Sequence, residues 1–202
     1  MAELSFQNTS VAFAHKNNAA LSKARMLFKS FNYPALLTYG PAMAKLAVGL
    51  GLKFTIKKTI FEQFCGGETI QECDHTIKSL AQSGIGTILD YSVEGEESEE
   101  TFEHTAAEIL RTIHRAKGNK DIPFSVFKTT GIMSSEVLEK VSELIIKKEI
   151  QDIDLIENQL NQDQKADWER GYARFMKLCE TAAQSKVQIF VDADRKSTRL
   201  NS

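Results

Sequence analysis

Gly86-Thr-Ile-Leu-Asp-Tyr-Ser-Val-Glu94 decides the fold. A helical pattern leads into it and another leads away. Its apolar run Thr87–Leu89 gives way to acidic Asp90 and Glu94. A short apolar run closing on charge, with helices on either side, reads as a buried parallel strand that delivers side chains to one rim. Two later segments repeat the design. Ile122-Pro-Phe-Ser-Val-Phe-Lys128 ends on a lysine, and Val187-Gln-Ile-Phe-Val-Asp192 ends on an aspartate. Strands finishing on Glu94, Lys128 and Asp192, each preceded by a helix, are expected to open a partial α/β (β/α)8 TIM-type barrel. In that fold chemistry gathers at the C-terminal strand ends.

Working outward, the helices between these strands have clear stripes. Ile70, Cys73, Ile77, Leu80 and Ala81 recur at helical spacing before the first strand, with Gly84 suited to the C′ position. Gly66-Gly67-Glu68-Thr69 opens that helix; it matches neither phosphate-loop spacing and reads as a turn. Glu96-Glu-Ser-Glu-Glu100 crowds the start of the next helix, where acids complement the dipole. Phe102, Ala106, Ile109, Leu110 and Ile113 form its stripe, and Gly118 ends it. Residues 147–165 read as a protruding, polar, helical insertion. Trp168, Tyr172, Phe175, Met176 and Cys179 mark the helix leading into the third strand.

Upstream, a helix is expected from about Val11 to Phe31, broken by Asn32-Tyr-Pro34. The apolar window from Pro34 to Leu52 contains Pro41, Lys45, Gly49 and Gly51, short of the roughly 20 uninterrupted apolar residues of a span. It reads as a helical arm packed on the main domain. The alternative is an interfacial segment whose Lys53, Lys57 and Lys58 meet acidic headgroups.

The chain has 202 residues, 42% of them hydrophobic, with a formal net charge of −2. These values allow one globular domain with a core, and no charge excess points to nucleic acid. Three widely spaced cysteines, Cys65, Cys73 and Cys179, argue against a disulfide framework and for a reducing compartment. Cys65, Cys73 and His75 fit no familiar metal spacing, so no metal is expected. Met-Ala-Glu-Leu-Ser-Phe at the N-terminus has the marks of neither a signal nor a transit peptide, and the expected location is cytoplasmic. Asp194-Arg-Lys-Ser-Thr-Arg-Leu-Asn-Ser202 is unpatterned and resembles a translated sequencing adapter. The expectation is a native frame read only to about Ala193. The domain reading is a helical arm over 1–60, the first part of a barrel over 61–193, and a non-native tail over 194–202.

Phe61-Glu-Gln-Phe-Cys-Gly-Gly-Glu-Thr-Ile-Gln-Glu-Cys73, the three strand segments, and the sequences Gly95-Glu-Glu-Ser-Glu99 and Thr129-Thr-Gly-Ile132 resemble the first part of proline dehydrogenase, in its single-domain bacterial form. The resemblance runs from about Phe6 to Ala193. It implies a (β/α)8 enzyme that uses FAD to oxidise L-proline to Δ1-pyrroline-5-carboxylate and passes electrons to a quinone, with peripheral contact at the inner membrane. By that resemblance Lys128 pairs with the proline carboxylate, Asp192 lines the pocket between proline and flavin, and Glu94 ion-pairs with an arginine from late in the barrel. Asp90 reads as structural. The family's paired arginines and main flavin contacts lie beyond these three strands, so no FAD-binding residue is assigned, and this chain alone is expected to be inactive. Two other readings stay open: a non-enzymatic, helix-rich binding domain, and another barrel enzyme with Lys128 as a Schiff-base nucleophile.

Overall fold

The computed structural model describes residues 7–91, 97–149 and 152–192. They belong to two compact units divided between Ile85 and Gly86. The expected tail over 194–202 lies outside the described residues.

The first unit is helical. Its elements are α1 (Thr9–Ala12), α2 (Asn18–Ser30), α3 (Pro34–Gly49), α4 (Lys53–Ile56), α5 (Glu62–Phe64) and α6 (Ile70–Ala81), with a π-helical turn, Lys57–Phe61, joining α4 to α5. The single helix expected from Val11 to Phe31 is two. Asn17 interrupts it, because its side chain accepts from the Ala20 N–H at 2.8 Å and starts α2 afresh. Pro34 sits in the first turn of α3, where a missing N–H costs nothing. Gly67 before α6 has no room for a side chain: a Cβ there would lie 2.7 Å from Cβ of Glu72. Thr69 then caps α6, accepting from the Glu72 N–H at 3.2 Å, and Gly84 follows at φ +72°. Among the described residues no helix is long and apolar enough to cross a membrane.

The second unit holds β1 (Ile88–Asp90), α7 (Glu99–Ala116), β2 (Phe124–Lys128), a 3-10 turn (Thr129–Gly131), α8 (Ser135–Lys148), α9 (Ile153–Glu157), α10 (Gln162–Ser185) and β3 (Gln188–Asp192). The three strands form a parallel sheet in sequential order. This is an α/β arrangement of two consecutive βαβ crossovers. Ser98 caps α7, and Glu99 and Glu100 occupy its first turn as the sequence suggested. Gly118 beyond its end has φ +68°, a conformation open to glycine.

Alternation along the strands gives the sheet two faces. Leu89, Ser125, Phe127 and Ile189 share one face by register. On that side Phe127 packs with Ala106, Ile109 and Ile113 of α7 and with Leu178 and Ala182 of α10. Its ring meets Phe175 edge-on, with centroids 5.6 Å apart. Beneath them Thr112 and Ser125 share a buried hydrogen bond of 2.8 Å between their hydroxyls, which satisfies both polar groups in the core. Both crossovers therefore cover the same face. The described part of the expected insertion over 147–165 packs rather than protrudes: Ile156 of α9 is buried against Val137, Val141 and Leu144 of α8, and Leu160 packs beside them.

Candidate active site

The other face of the sheet carries Ile88 and Asp90 from β1, Phe124, Val126 and Lys128 from β2, and Gln188, Phe190 and Asp192 from β3. Ile88 and Phe190 remain exposed on it. Phe124 and Phe190 stack at a centroid distance of 4.7 Å, giving this face an apolar patch. Above the patch, toward the C-terminal strand ends, the residues become ionic. Lys128 and Asp192 are direct Cα partners in the ladder, so a cation and an anion stand side by side at the rim. Both are half-buried. Glu94, the third residue expected at this edge, lies outside the described residues.

Asp90 joins them. It pairs with Val126, one pleat period below Lys128 and on the same face. Partial burial pushes its carboxyl above the ordinary range, the Asp192 carboxylate adds to that, and Lys128 opposes both. The three charges thus act on one another across adjacent strands. The sequence alone reads Asp90 as structural rather than catalytic, although it would share the period-2 phase of Glu94 in a strand extended that far. That phase was the available signal.

Behind the rim, the loops that leave the strands are tied to the helices. Glu97 accepts from the Ser135 N–H at 3.4 Å and from the Ser135 hydroxyl, linking the approach to α7 with the start of α8. Arg174 on α10 is 6% exposed. It donates from Nε to Glu103 at 2.7 Å and from Nη1 to the Ile132 carbonyl at 2.7 Å. Its Nη2 lies against the Glu99 carboxylate as an ion pair. Its guanidinium also sits 5.7 Å from the centroid of the Phe102 ring.

In the first unit, two of the lysines considered for a membrane surface, Lys53 and Lys57, are engaged in ion pairs. Lys57 pairs with Glu68 at 3.0 Å and Glu72 at 2.8 Å, and Lys53 pairs with Glu68 at 3.3 Å. The side chain of Lys58 lies outside the described residues.

A family model for proline dehydrogenase matches residues 73–201. The carbapenem antibiotics biosynthesis protein CarD of Pectobacterium carotovorum subsp. carotovorum is 30% identical over 183 residues, 85% of this chain and 44% of its own length. Proline dehydrogenase 1, mitochondrial, of Dictyostelium discoideum is 43% identical over 102 residues, 50% of this chain and 18% of its own. Hydroxyproline dehydrogenase of Xenopus laevis is 24% identical over 148 residues, 69% of this chain and 32% of its own. The matched stretch spans less than half the length of each relative. The family match takes in all three strands, their helices and the charged rim, and this chain belongs to the proline dehydrogenase family.

Proposed function

We propose that this chain forms the carboxylate-binding side of an FAD-dependent proline dehydrogenase, which oxidises L-proline to Δ1-pyrroline-5-carboxylate and delivers the electrons to a membrane quinone. The observation that carries the reading is the placement of Lys128 and Asp192 as register partners on the sheet face opposite the helices. A sequential parallel sheet with both crossovers on one face is how a (β/α) barrel begins, and the face opposite those helices becomes the barrel interior. The rim then lies at the C-terminal mouth, where barrel enzymes bind substrate.

Lys128 supplies a compact cation at the end of a rigid strand, suited to hold the carboxylate of a small amino acid. Asp192 beside it limits how far that cation can stray and presents an acceptor toward the ring nitrogen. Asp90 lies one step deeper on the same face, within the field of both. Glu94 is read as the acid that pairs with an arginine from later in the fold, closing the pocket. This face of the sheet fits a planar cofactor ring, because it carries apolar side chains at Phe124, Val126 and Phe190 below polar groups at Lys128 and Asp192. FAD, when bound, supplies the hydride acceptor. The ring carbon next to nitrogen gives up a hydride, the nitrogen lone pair closes the C=N bond of the product, and the N–H proton leaves. The protein's part is to bind proline by its carboxylate and hold that carbon in position.

The test is proline-dependent dye reduction by a polypeptide that extends this chain to the length of its relatives. Reduction with proline, coupled to bleaching of the flavin, is expected. No flavin in the purified protein, or no reduction with proline, would overturn the reading. Borohydride trapping of a substrate carbonyl on Lys128 would instead favour Schiff-base chemistry.

A further inference from the structure

We infer that Arg174 is a positioning residue for the Lys128 side of the site, acting through the loop that follows β2. The inference rests on the proposed role of Lys128 in binding proline. Lys128 is the last residue of β2, and the chain turns at once through Thr129–Gly131 to Ile132. The turn is tight: the N–H groups of Ile132 and Met133 both donate to the Thr129 carbonyl, at 3.1 and 3.2 Å. Its far end is where Arg174 takes hold, through the 2.7 Å bond from Nη1 to the Ile132 carbonyl. The same guanidinium grips Glu103 and Glu99 on the first turns of α7, the helix that follows β1. One side chain on α10 therefore ties the exit of β2 to the helix entered from β1.

Two further contacts make the hold rigid. Gly171, one turn before Arg174, brings α10 so close to the loop that a Cβ there would lie 2.4 Å from Cβ of Met133. Gly131 leaves just enough room for Thr105 of α7, whose Cγ2 would be 3.3 Å from an added Cβ. A lysine carries its charge on a flexible four-carbon stem, so the backbone at its base decides where the ammonium can reach. The planar fork of arginine is what lets one group serve a carbonyl and two carboxylates together. A lysine at 174 could serve only one or two of them.

The experiment compares Arg174→Met, Arg174→Lys and Glu103→Gln with the unaltered protein, each in a polypeptide extended to the length of the relatives. A displaced cation should raise the KM for proline about tenfold in Arg174→Met, well short of the roughly hundredfold that a 1 Å misplacement of a reacting group can cost. In the same variant kcat should stay within about twofold and flavin should be retained, the pattern of lost substrate binding. Arg174→Lys should recover part of the KM change. A merely structural role predicts that melting temperature, flavin content and kcat fall together while the KM of the remaining active protein is unchanged, and that outcome overturns the inference. If Arg174→Met does not fold, an unchanged KM in both Arg174→Lys and Glu103→Gln overturns it equally. Should the unaltered protein fail to oxidise proline, the proposed function falls, and hydrogen exchange still decides the anchor. Amides of residues 129–133 should exchange faster in Arg174→Lys than in the unaltered protein, and equal rates would refute the anchoring.

Discussion

In residues 86–192, Phe127, Ile113 and Ile132 lose all contact with solvent, whereas among the described residues before 86 only Ile77 is buried. Helix formation does not explain the contrast, because both units are rich in well-capped helices. α2 and α6 carry side-chain caps just as α7 does. The difference is the presence of a sheet. The apolar stripe of α7 has a flat parallel partner in β2, and burying it there removes large side chains from water. α3 is apolar along most of its length, yet Leu36, Tyr39, Met43 and Leu46 stay exposed. Caps and ion pairs can define a helix, but they do not make a core.

The contrast breaks most visibly under truncation. Phe127→Ala should cost about 3–5 kcal/mol, because a ring enclosed by α7 and α10 leaves a cavity. Phe54→Ala, at a side chain 67% exposed, should stay within about 0.5 kcal/mol. Urea unfolding of the two variants checks this, and equal losses would erase the distinction between the units.

Adding a methyl group sharpens it. Gly171→Ala must push Met133 aside and should destabilise by about 1–3 kcal/mol. Gly40→Ala, inside α3 with nothing within 4 Å of the added Cβ, should stabilise by about 1 kcal/mol through helix propensity. Thermal melts of this pair are expected to shift in opposite directions.

A smaller effect, with a definite pH sign, is expected at the rim. Asp90 has its carboxyl raised in the folded state, chiefly by burial. The folded protein therefore binds that proton more tightly than the unfolded chain does. The group's contribution to stability is full below the ordinary carboxylate range and is lost as pH rises through the elevated one. Asp90→Asn should stabilise the protein at neutral pH by less than about 1 kcal/mol, since the side chain remains partly open to water. The gain should vanish on acidification, and denaturant titrations at two pH values will show whether it does.

The smallest change belongs to the first unit. Lys57 holds the carboxyls of Glu68 and Glu72 below their usual range through direct hydrogen bonds. Their stabilising effect is present at neutral pH and fades as pH falls through the depressed range. Lys57→Ala should weaken that pH dependence, leaving what Lys53 contributes at Glu68, with hardly any change in stability at high salt. A large, salt-independent loss would mean that the network does more than join neighbouring turns.

The strands were legible because each is an apolar run closing on charge, and Lys128 and Asp192 could be placed from that pattern. β1 begins one residue later than the run suggested. The N–H and hydroxyl of Thr87 both go to the Asp121 carbonyl, at 2.9 and 3.0 Å, instead of to a strand neighbour. The double start of α1 and α2 was missed because Asn17 competes locally for the backbone, a signal weaker than the apolar spacing across it. Arg174 could not be found from sequence. Its partners Glu103 and Ile132 lie 71 and 42 residues away, and only the folded crossovers bring them together. Asp90 was visible as a strand residue, but its exchange of field with Lys128 and Asp192 depends on the register of three strands.

The most direct test of the central claim is Lys128→Ala in the extended, flavin-bearing polypeptide, assayed with proline. Removing one charge-assisted contact to a carboxylate costs about 1.5–3 kcal/mol, which corresponds to about a ten- to hundredfold weaker interaction. The expected result is a rise in KM of that order with flavin still bound. A KM and a kcat both equal to those of the unaltered protein would contradict the assignment of this rim as the carboxylate site.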